Sequence, residues 1–214
     1  MLLEKGADVN AQGGRYGNAL QAASARGYKE IVQMLLEKGI DVNAQGGEYG
    51  NALQAASARG YKEIVQTLLE KGADINAQGG LYSNALQAAS VEGYKEIVQT
   101  LLEKGADINA QGGFYGNALQ AASVEGREEI VQTLLEKGAD INAQCGFYGN
   151  ALQAASAEGR EEIVQMLLEK GADINAQCGF YGNALQAASA KGREEIVQML
   201  LEKGAELRQD EEVE

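Results

Sequence analysis

The stretch NALQAASARGYKEIVQMLLEKG, residues 18–39, has the pattern of two short helices separated by a glycine. Asn18 is a good N-cap, because its side-chain oxygen can accept a hydrogen bond from a free backbone N–H. The small residues after it predict a helix that ends at Gly27, which can adopt the left-handed cap conformation. A second helix is expected over roughly residues 28–38, with one apolar face. That face carries Ile31, Val32, Leu35 and Leu36.

The segment NALQAAS returns every 33 residues without insertion. It begins at Asn18, Asn51, Asn84, Asn117, Asn150 and Asn183. The units therefore cover residues 18–50, 51–83, 84–116, 117–149, 150–182 and 183–206. Residues 1–17 correspond to the back part of a unit, and residues 207–214 to an acidic, solvated tail. Helices this short are unstable alone, but stacked units would merge their apolar faces. The sequence predicts an all-α solenoid of stacked helix-turn-helix units joined by hairpin-like loops.

The period of 33 and the stretch EIVQMLLEKGADINA, residues 162–176, resemble ankyrin repeats over nearly the whole chain. Two features depart from that family. The stretch NALQ stands where the family has Thr-Pro-Leu-His, and the hairpin reads GGEYG or CGFYG instead of D-x-x-G. The near-identical copies also resemble the arrays at the C-terminal end of fungal NOD-like receptors. The resemblance implies an ankyrin-repeat solenoid with a protein-binding groove, lined by the hairpin tips and the inner helices.

Composition argues against several function classes. The formal net charge is −13, from 18 basic and 31 acidic residues, and the chain has no His. Nucleic acid and anionic membranes both attract clustered Lys and Arg, so neither is an expected partner. Without His, the common proton shuttle and the imidazole metal ligand are missing, and the carboxylates recur at identical positions instead of meeting unlike groups. We predict no enzyme activity, no metal and no cofactor.

Further features of the sequence concern the cellular location of the protein and the redox state of its cysteines. A signal-peptide pattern and a long apolar run are both missing from this sequence, which predicts a cytoplasmic location. The isolated array is expected to be a monomer. Cys145 and Cys178 occupy the same slot in adjacent units. Stacked helical units lie about 10 Å apart, and a disulfide requires Cα atoms within about 7 Å, so both are expected to be free thiols.

Two slots vary between copies and lie, by the resemblance, on the groove. The hairpin-tip slot holds Arg15, Glu48, Leu81, Phe114, Phe147 and Phe180. The slot at the end of the first helix holds Arg26, Arg59, Glu92, Glu125, Glu158 and Lys191. Beside the tip phenylalanines lie Tyr115, Tyr148 and Tyr181. Large aromatic side chains at an exposed loop apex are unusual, and aromatic anchors concentrate binding energy. We predict that these fifteen residues bind the partner.

Three details of this surface remain open in the sequence. Phe114, Phe147 and Phe180 should form a line, with tips roughly 10 Å apart if they follow the helices. The invariant tyrosine next to each tip is either a rung of a ladder between hairpins or a ligand contact. The start of the second helix changes from Tyr28-Lys29 to Arg127-Glu128 along the chain, which is either solvated variation or part of the surface.

The sequence favours a protein-recognition module, the ligand-sensing array of a larger fungal immune or incompatibility receptor. The acidic C-terminal half suits a protein ligand with a basic surface. An alternative is a structural or autoinhibitory segment that contacts other domains of its own parent chain. An engineered consensus scaffold is disfavoured, because neighbouring units share substitutions as duplication would produce. Met1 begins inside a second-helix motif, so further repeats are expected upstream, with residues 1–17 the least protected from hydrogen exchange.

Overall fold

The computed structural model describes residue 8 and residues 10–206, and this part of the chain contains twelve α-helices. The first helices of the units are α1 (Ala19–Arg26), α3 (Ala52–Ala58), α5 (Ala85–Glu92), α7 (Ala118–Val124), α9 (Ala151–Glu158) and α11 (Ala184–Ala190). The second helices are α2 (Lys29–Glu37), α4 (Lys62–Glu70), α6 (Lys95–Glu103), α8 (Glu128–Glu136), α10 (Glu161–Glu169) and α12 (Glu194–Glu202). The predicted all-α solenoid of helix-turn-helix units is confirmed. The predictions for the acidic tail and for residues 1–7 and 9 lie outside the described residues.

The first helices begin and end as their sequence requires. Asn18 Oδ1 accepts from the backbone N–H of Gln21 at 2.9 Å, and Gln21 Oε1 accepts from the N–H of Asn18 at 2.8 Å. Gly27 ends α1 with φ +76°, a left-handed conformation that costs glycine little. Most alanines of these helices are buried, so neighbouring first helices can approach closely.

The second helices supply most of the continuous core. Val32, Val65, Val98, Val131 and Val164 are fully buried and pack with the leucines of the first helices in one cluster along the array. First helices of adjacent units pack more closely than second helices do. The stack is therefore tighter on the side of the first helices and the hairpins, which makes that side concave.

Buried amides join the first helix of a unit to the hairpin that follows it. Gln21 Nε2 donates to the carbonyls of Ala44 and Gly50, at 2.9 and 3.1 Å, and the same pair of bonds recurs at Gln54, Gln120 and Gln153. A second series lies in the connectors, where Asn10 Oδ1 accepts from the N–H of Asp41 at 3.0 Å. This second series continues to Glu206, whose N–H donates to Asn175. The Asn and Gln that replace the usual Thr and His thus provide helix caps and links from the first helix to the hairpin that follows it.

The start of the second helix also links units, in two different ways. Lys29, Lys62 and Lys95 form exposed ion pairs with Glu63, Glu96 and Glu129 of the next unit, at 2.5–3.0 Å. Arg127, Arg160 and Arg193 instead donate from Nε to the carbonyls of Val91, Val124 and Ala157 of the preceding unit, at 2.9–3.1 Å. The interpretation of these arginines as solvated surface variation is therefore wrong.

Cys145 and Cys178 are free thiols, as predicted. Burial raises the pKa of both thiols. Their sulfurs accept hydrogen bonds from Gln120 at 3.1 Å and from Gln153 at 3.2 Å. The two cysteines are therefore part of the contacts between a first helix and the hairpin that follows it.

Candidate functional site

The hairpins form a ladder along the concave side. Each hairpin is closed by a short antiparallel bridge, such as the one between Cys145 and Gly149. The N–H of Phe147 donates to the carbonyl of Phe114 at 2.9 Å, and the N–H of Phe180 to that of Phe147 at 3.0 Å. Hydrogen-bonded extended backbones lie about 4.8 Å apart, much closer than packed helices. The tips therefore have the spacing of neighbouring strands.

Phe114, Phe147 and Phe180 form a continuous stack, here called the aromatic ridge. The ring centroids are 5.1 Å apart for the first pair and 4.9 Å for the second, with interplanar angles of 16° and 18°. The predicted spacing of roughly 10 Å is wrong, because the backbone ladder and not the helix spacing sets the distance between tips. Phe114 is 55% exposed and Phe180 is 71% exposed, while Phe147 between them is half-buried.

The invariant tyrosines lie behind the ridge and pack between hairpins. Tyr148 is 7% exposed, and its ring meets that of Phe147 edge-on at 5.3 Å. Its ring is thus covered by the protein, which favours the ladder interpretation over a ligand contact at this position. Tyr115 and Tyr181 are half-buried beside it and belong to the same apolar cluster.

Each of three tyrosines donates to a carboxylate at the end of the first helix that follows it in the chain. Tyr82 bonds Glu92 at 2.6 Å, Tyr115 bonds Glu125 at 3.3 Å, and Tyr148 bonds Glu158 at 2.8 Å. Burial raises the pKa of all three tyrosines, and the neighbouring carboxylate raises it further. The three half-buried glutamates therefore form a row of oriented carboxylates along the ridge, here called the acidic row.

Several of the other predicted residues already contact each other. Arg15 and Glu48 form an ion pair between adjacent tips, in which Arg15 Nη2 also donates to Glu48 Oε1 at 3.1 Å. Arg26 lies over the ring of Tyr16, 5.5 Å from its centroid. Lys191 lies over the ring of Tyr181 at 6.0 Å.

Leu81 and Arg59 complete the predicted set. Leu81 is 59% exposed at its hairpin tip, and Arg59 is exposed at the end of its first helix. Sequence reasoning missed Ser83, which lies in the same hairpin as Leu81. It left the role of Arg127 open and did not include Val91 among the candidates, and both lie near Leu81 on the same surface. For Ser83 a signal was present, since this slot holds Gly in the five other copies.

The residues brought together here are suited to binding. Phenyl rings, phenol hydroxyls and carboxylates lie in rows along one side of the solenoid. Within residues 10–206, no group of three or more Cys, Asp or Glu is arranged to hold a metal ion. No helix in the same part of the chain is both long and apolar enough to cross a membrane.

Comparison with known families gives one result. The family model described as "Ankyrin repeats (3 copies)" matches residues 1–79, 53–145, 86–178 and 120–211. The overlapping matches cover almost the whole chain. A comparison with curated proteins gives no match.

Proposed function

Because the chain belongs to the ankyrin-repeat family, whose members generally bind proteins and are typically not enzymes, we propose that it binds a protein through the aromatic ridge and the acidic row. The observation that carries the proposal is the exposure of stacked phenyl rings, 55% for Phe114 and 71% for Phe180. Soluble proteins seldom present contiguous aromatic surface to water, and such patches commonly mark interaction sites.

The stack also prepares the ridge for binding. Each ring is held by its neighbour and, edge-on, by a tyrosine behind it, as Phe147 is by Tyr148 and Phe180 by Tyr181. Side chains that are already ordered lose little conformational entropy when a partner covers them. The carboxylates of the acidic row border the apolar surface and favour a partner with basic groups beside an apolar patch.

The finer proposal concerns the parent protein. We infer that the array is the ligand-sensing part of a larger cytoplasmic fungal receptor of immunity or incompatibility. Support comes from the near-identical copies and from the changes between them, of which those at the tips and at the first-helix ends lie on the concave side. A surface that changes its ligand needs structural residues that stay identical and a few contact residues that vary.

The first prediction tests the ridge. The double change F147E/F180E places glutamate at two hairpin tips. Glu48 already occupies the tip of another hairpin, so the fold is expected to tolerate the change. Affinity for a partner captured by the wild-type array and then purified should fall at least about tenfold, because buried aromatic anchors dominate interfaces. Isothermal titration measures the affinity, and a thermal melt checks the fold.

The control has the same charge change elsewhere. Q165E/Q198E adds two carboxylates to exposed positions on the second helices α10 and α12. This control should bind the partner as the wild type does. Unchanged affinity of F147E/F180E would move the binding site away from the ridge.

A further inference from the structure

The junction between the hairpins at 79–83 and 112–116 differs from the others at one residue. Ser83 occupies a slot that holds Gly17, Gly50, Gly116, Gly149 and Gly182 in the other copies. Ser83 has φ +73° and is the one non-glycine with positive φ in the described part of the chain. An L-residue other than Asn or Asp rarely adopts this conformation, so the backbone follows the glycine geometry in spite of the side chain.

A side chain in this slot interferes with the next hairpin. At Gly50, an added Cβ would lie 2.8 Å from the carbonyl carbon of Gly79, and at Gly149 it would lie 2.8 Å from that of Cys178. Both distances are shorter than real Cβ contacts allow. The Cβ of Ser83 must therefore hold the following hairpin further away than glycine does.

The hydrogen bonds show the separation. The tip N–H donates to the preceding tip carbonyl at Glu48, Leu81, Phe147 and Phe180, whereas among the described residues Phe114 makes no such bond to Leu81. The Gln87 amide reaches the carbonyls of Ala110 and Gly116 only at 3.4 Å, and in the reversed orientation it would donate to Tyr82 O at 2.9 Å and to Gly112 O at 3.3 Å. The ladder is interrupted at this junction.

A cleft of about 360 Å³ lies on the concave side of the interrupted junction. Its walls include Leu81 and Phe114 at the tips and the rings of Tyr82 and Tyr115 behind them. The apolar clusters of the concave side divide at the same place, since Tyr82 packs with the units before it and Tyr115 with those after it. The apolar packing that closes the surface at neighbouring units is thus replaced by an opening.

The end of the cleft is negatively charged. Glu92 and Glu125 line it, and each accepts from a tyrosine hydroxyl through one carboxylate oxygen. Arg127 also lines the cleft, but its Nε donates to the carbonyl of Val91 at 2.9 Å. Two carboxylates and one guanidinium leave one negative charge in excess. A carboxylate has about four lone-pair sites, so each retains acceptor capacity for a cation.

We propose that this cleft receives a basic side chain, arginine or lysine, of the protein partner, an assignment that rests on the proposed function. The aliphatic stem of such a side chain packs between Leu81 and Phe114, and its cationic head reaches Glu92 and Glu125. The tyrosine rings add attraction for the cation through their faces. The cleft at Ser83 thus sets the register of the partner along the array.

The second prediction tests this cleft with three peptides that differ at one residue. They are acetyl-Gly-Gly-X-Gly-Gly-amide with X as Arg, Lys or Leu, added at millimolar concentration to the ¹⁵N-labelled protein. The Arg and Lys peptides should shift the amide resonances of Leu81, Tyr82, Phe114 and Tyr115, while the Leu peptide leaves them unchanged. Equal shifts with the Leu peptide would show a merely apolar cleft, and no shift with any peptide would also overturn the proposal.

Variants connect the binding to the geometry. S83G restores the residue of the other units, so Phe114 should gain hydrogen-exchange protection as it bonds to Leu81, and affinity for the Arg peptide should fall about tenfold. E92Q/E125Q should also lower the affinity for the Arg peptide by about tenfold, because hydrogen bonds to charged groups are stronger than those between neutral groups. The matched control E161Q/E194Q removes two exposed glutamates of the second helices and should leave affinity unchanged. Unaltered binding by S83G would contradict the proposal.

The two proposals can fail separately. If F147E/F180E loses the partner while the Arg peptide leaves the cleft resonances unshifted, the ridge binds and the cleft assignment is wrong. If the Arg peptide binds in a Ser83-dependent way while F147E/F180E keeps the partner, the cleft is a site and the ridge is not.

Discussion

At the scale of single residues, one buried amide joins the first helix of a unit to the hairpin that follows it. Gln120 is fully buried, and its Nε2 donates to the carbonyls of Ala143 and Gly149, both at 3.2 Å. Both carbonyls lie in the connector of its own unit and would lack this donor without it. Leaving a buried polar group without its partner costs more free energy than one hydrogen bond contributes to the net stability of the fold.

The third prediction follows from this arrangement. Gln120→Ala should lower the free energy of unfolding by about 2 kcal/mol, because one buried and one part-buried carbonyl lose a donor. Gln186→Ala is the matched control, since within the described residues Gln186 bonds only Asn183 of its own cap. Urea unfolding followed by circular dichroism measures both. Equal losses for the two variants would show that the carbonyl contacts of Gln120 stabilise the fold no more than the single cap bond of Gln186 does.

At the scale of elements, the two kinds of link at the second helix should differ in strength. The Arg160 side chain is half-buried and makes a directed bond to the carbonyl of Val124 at 3.0 Å. Lys62 and Glu96 form an ion pair at 2.8 Å with side chains that are 43% and 73% exposed. Exposed ion pairs contribute little to the free energy of unfolding and are screened by salt. A partly buried hydrogen bond to the backbone is not screened in this way.

The fourth prediction compares these links. Arg160→Lys keeps the charge but loses the planar fork that aims Nε, so it should lower the free energy of unfolding by about 1 kcal/mol at any salt concentration. Lys62→Gln should have a much smaller effect, detectable only at low salt. Urea unfolding at low and high NaCl concentration distinguishes the two. An Arg160→Lys effect that disappears in high salt would contradict the hydrogen-bond interpretation.

At the scale of the whole molecule, the acidic row makes stability depend on alkaline pH. Tyr82, Tyr115 and Tyr148 have pKa values raised above 10.0 by burial and by their glutamates. When the pKa of a group is higher in the folded state than in the unfolded state, the group contributes its full stabilisation at pH values below the unfolded pKa. That contribution is lost as the pH rises through the folded pKa, because the unfolded chain releases its protons first.

The fifth prediction is that the melting temperature falls progressively as the pH rises above about 10. The triple variant Y82F/Y115F/Y148F should melt lower than the wild type at pH 8, since it lacks the bonds to the glutamates. Its further loss between pH 8 and pH 11 should be smaller than that of the wild type. Thermal melts across this range measure both slopes, and parallel slopes would exclude these tyrosines as the cause.

The amino-acid sequence alone was enough to predict the solenoid. The capping asparagines, the glycine after the first helix and the apolar face of the second act within one unit, and identical neighbours repeat the same contact. Such local, repeated interactions can be read from a period of 33. The fifteen candidate residues were found in the same way, by comparing slots between copies.

The geometry of the surface depended on contacts between units. The tips lie about half as far apart as packed helices because backbone hydrogen bonds join Phe114, Phe147 and Phe180, and a residue pattern does not reveal that ladder. Arg127 contacts Val91 across 36 residues. The cleft arises because one Cβ at Ser83 meets the backbone of the next hairpin, and a distance of this kind exists only once two hairpins, distant in sequence, are packed together.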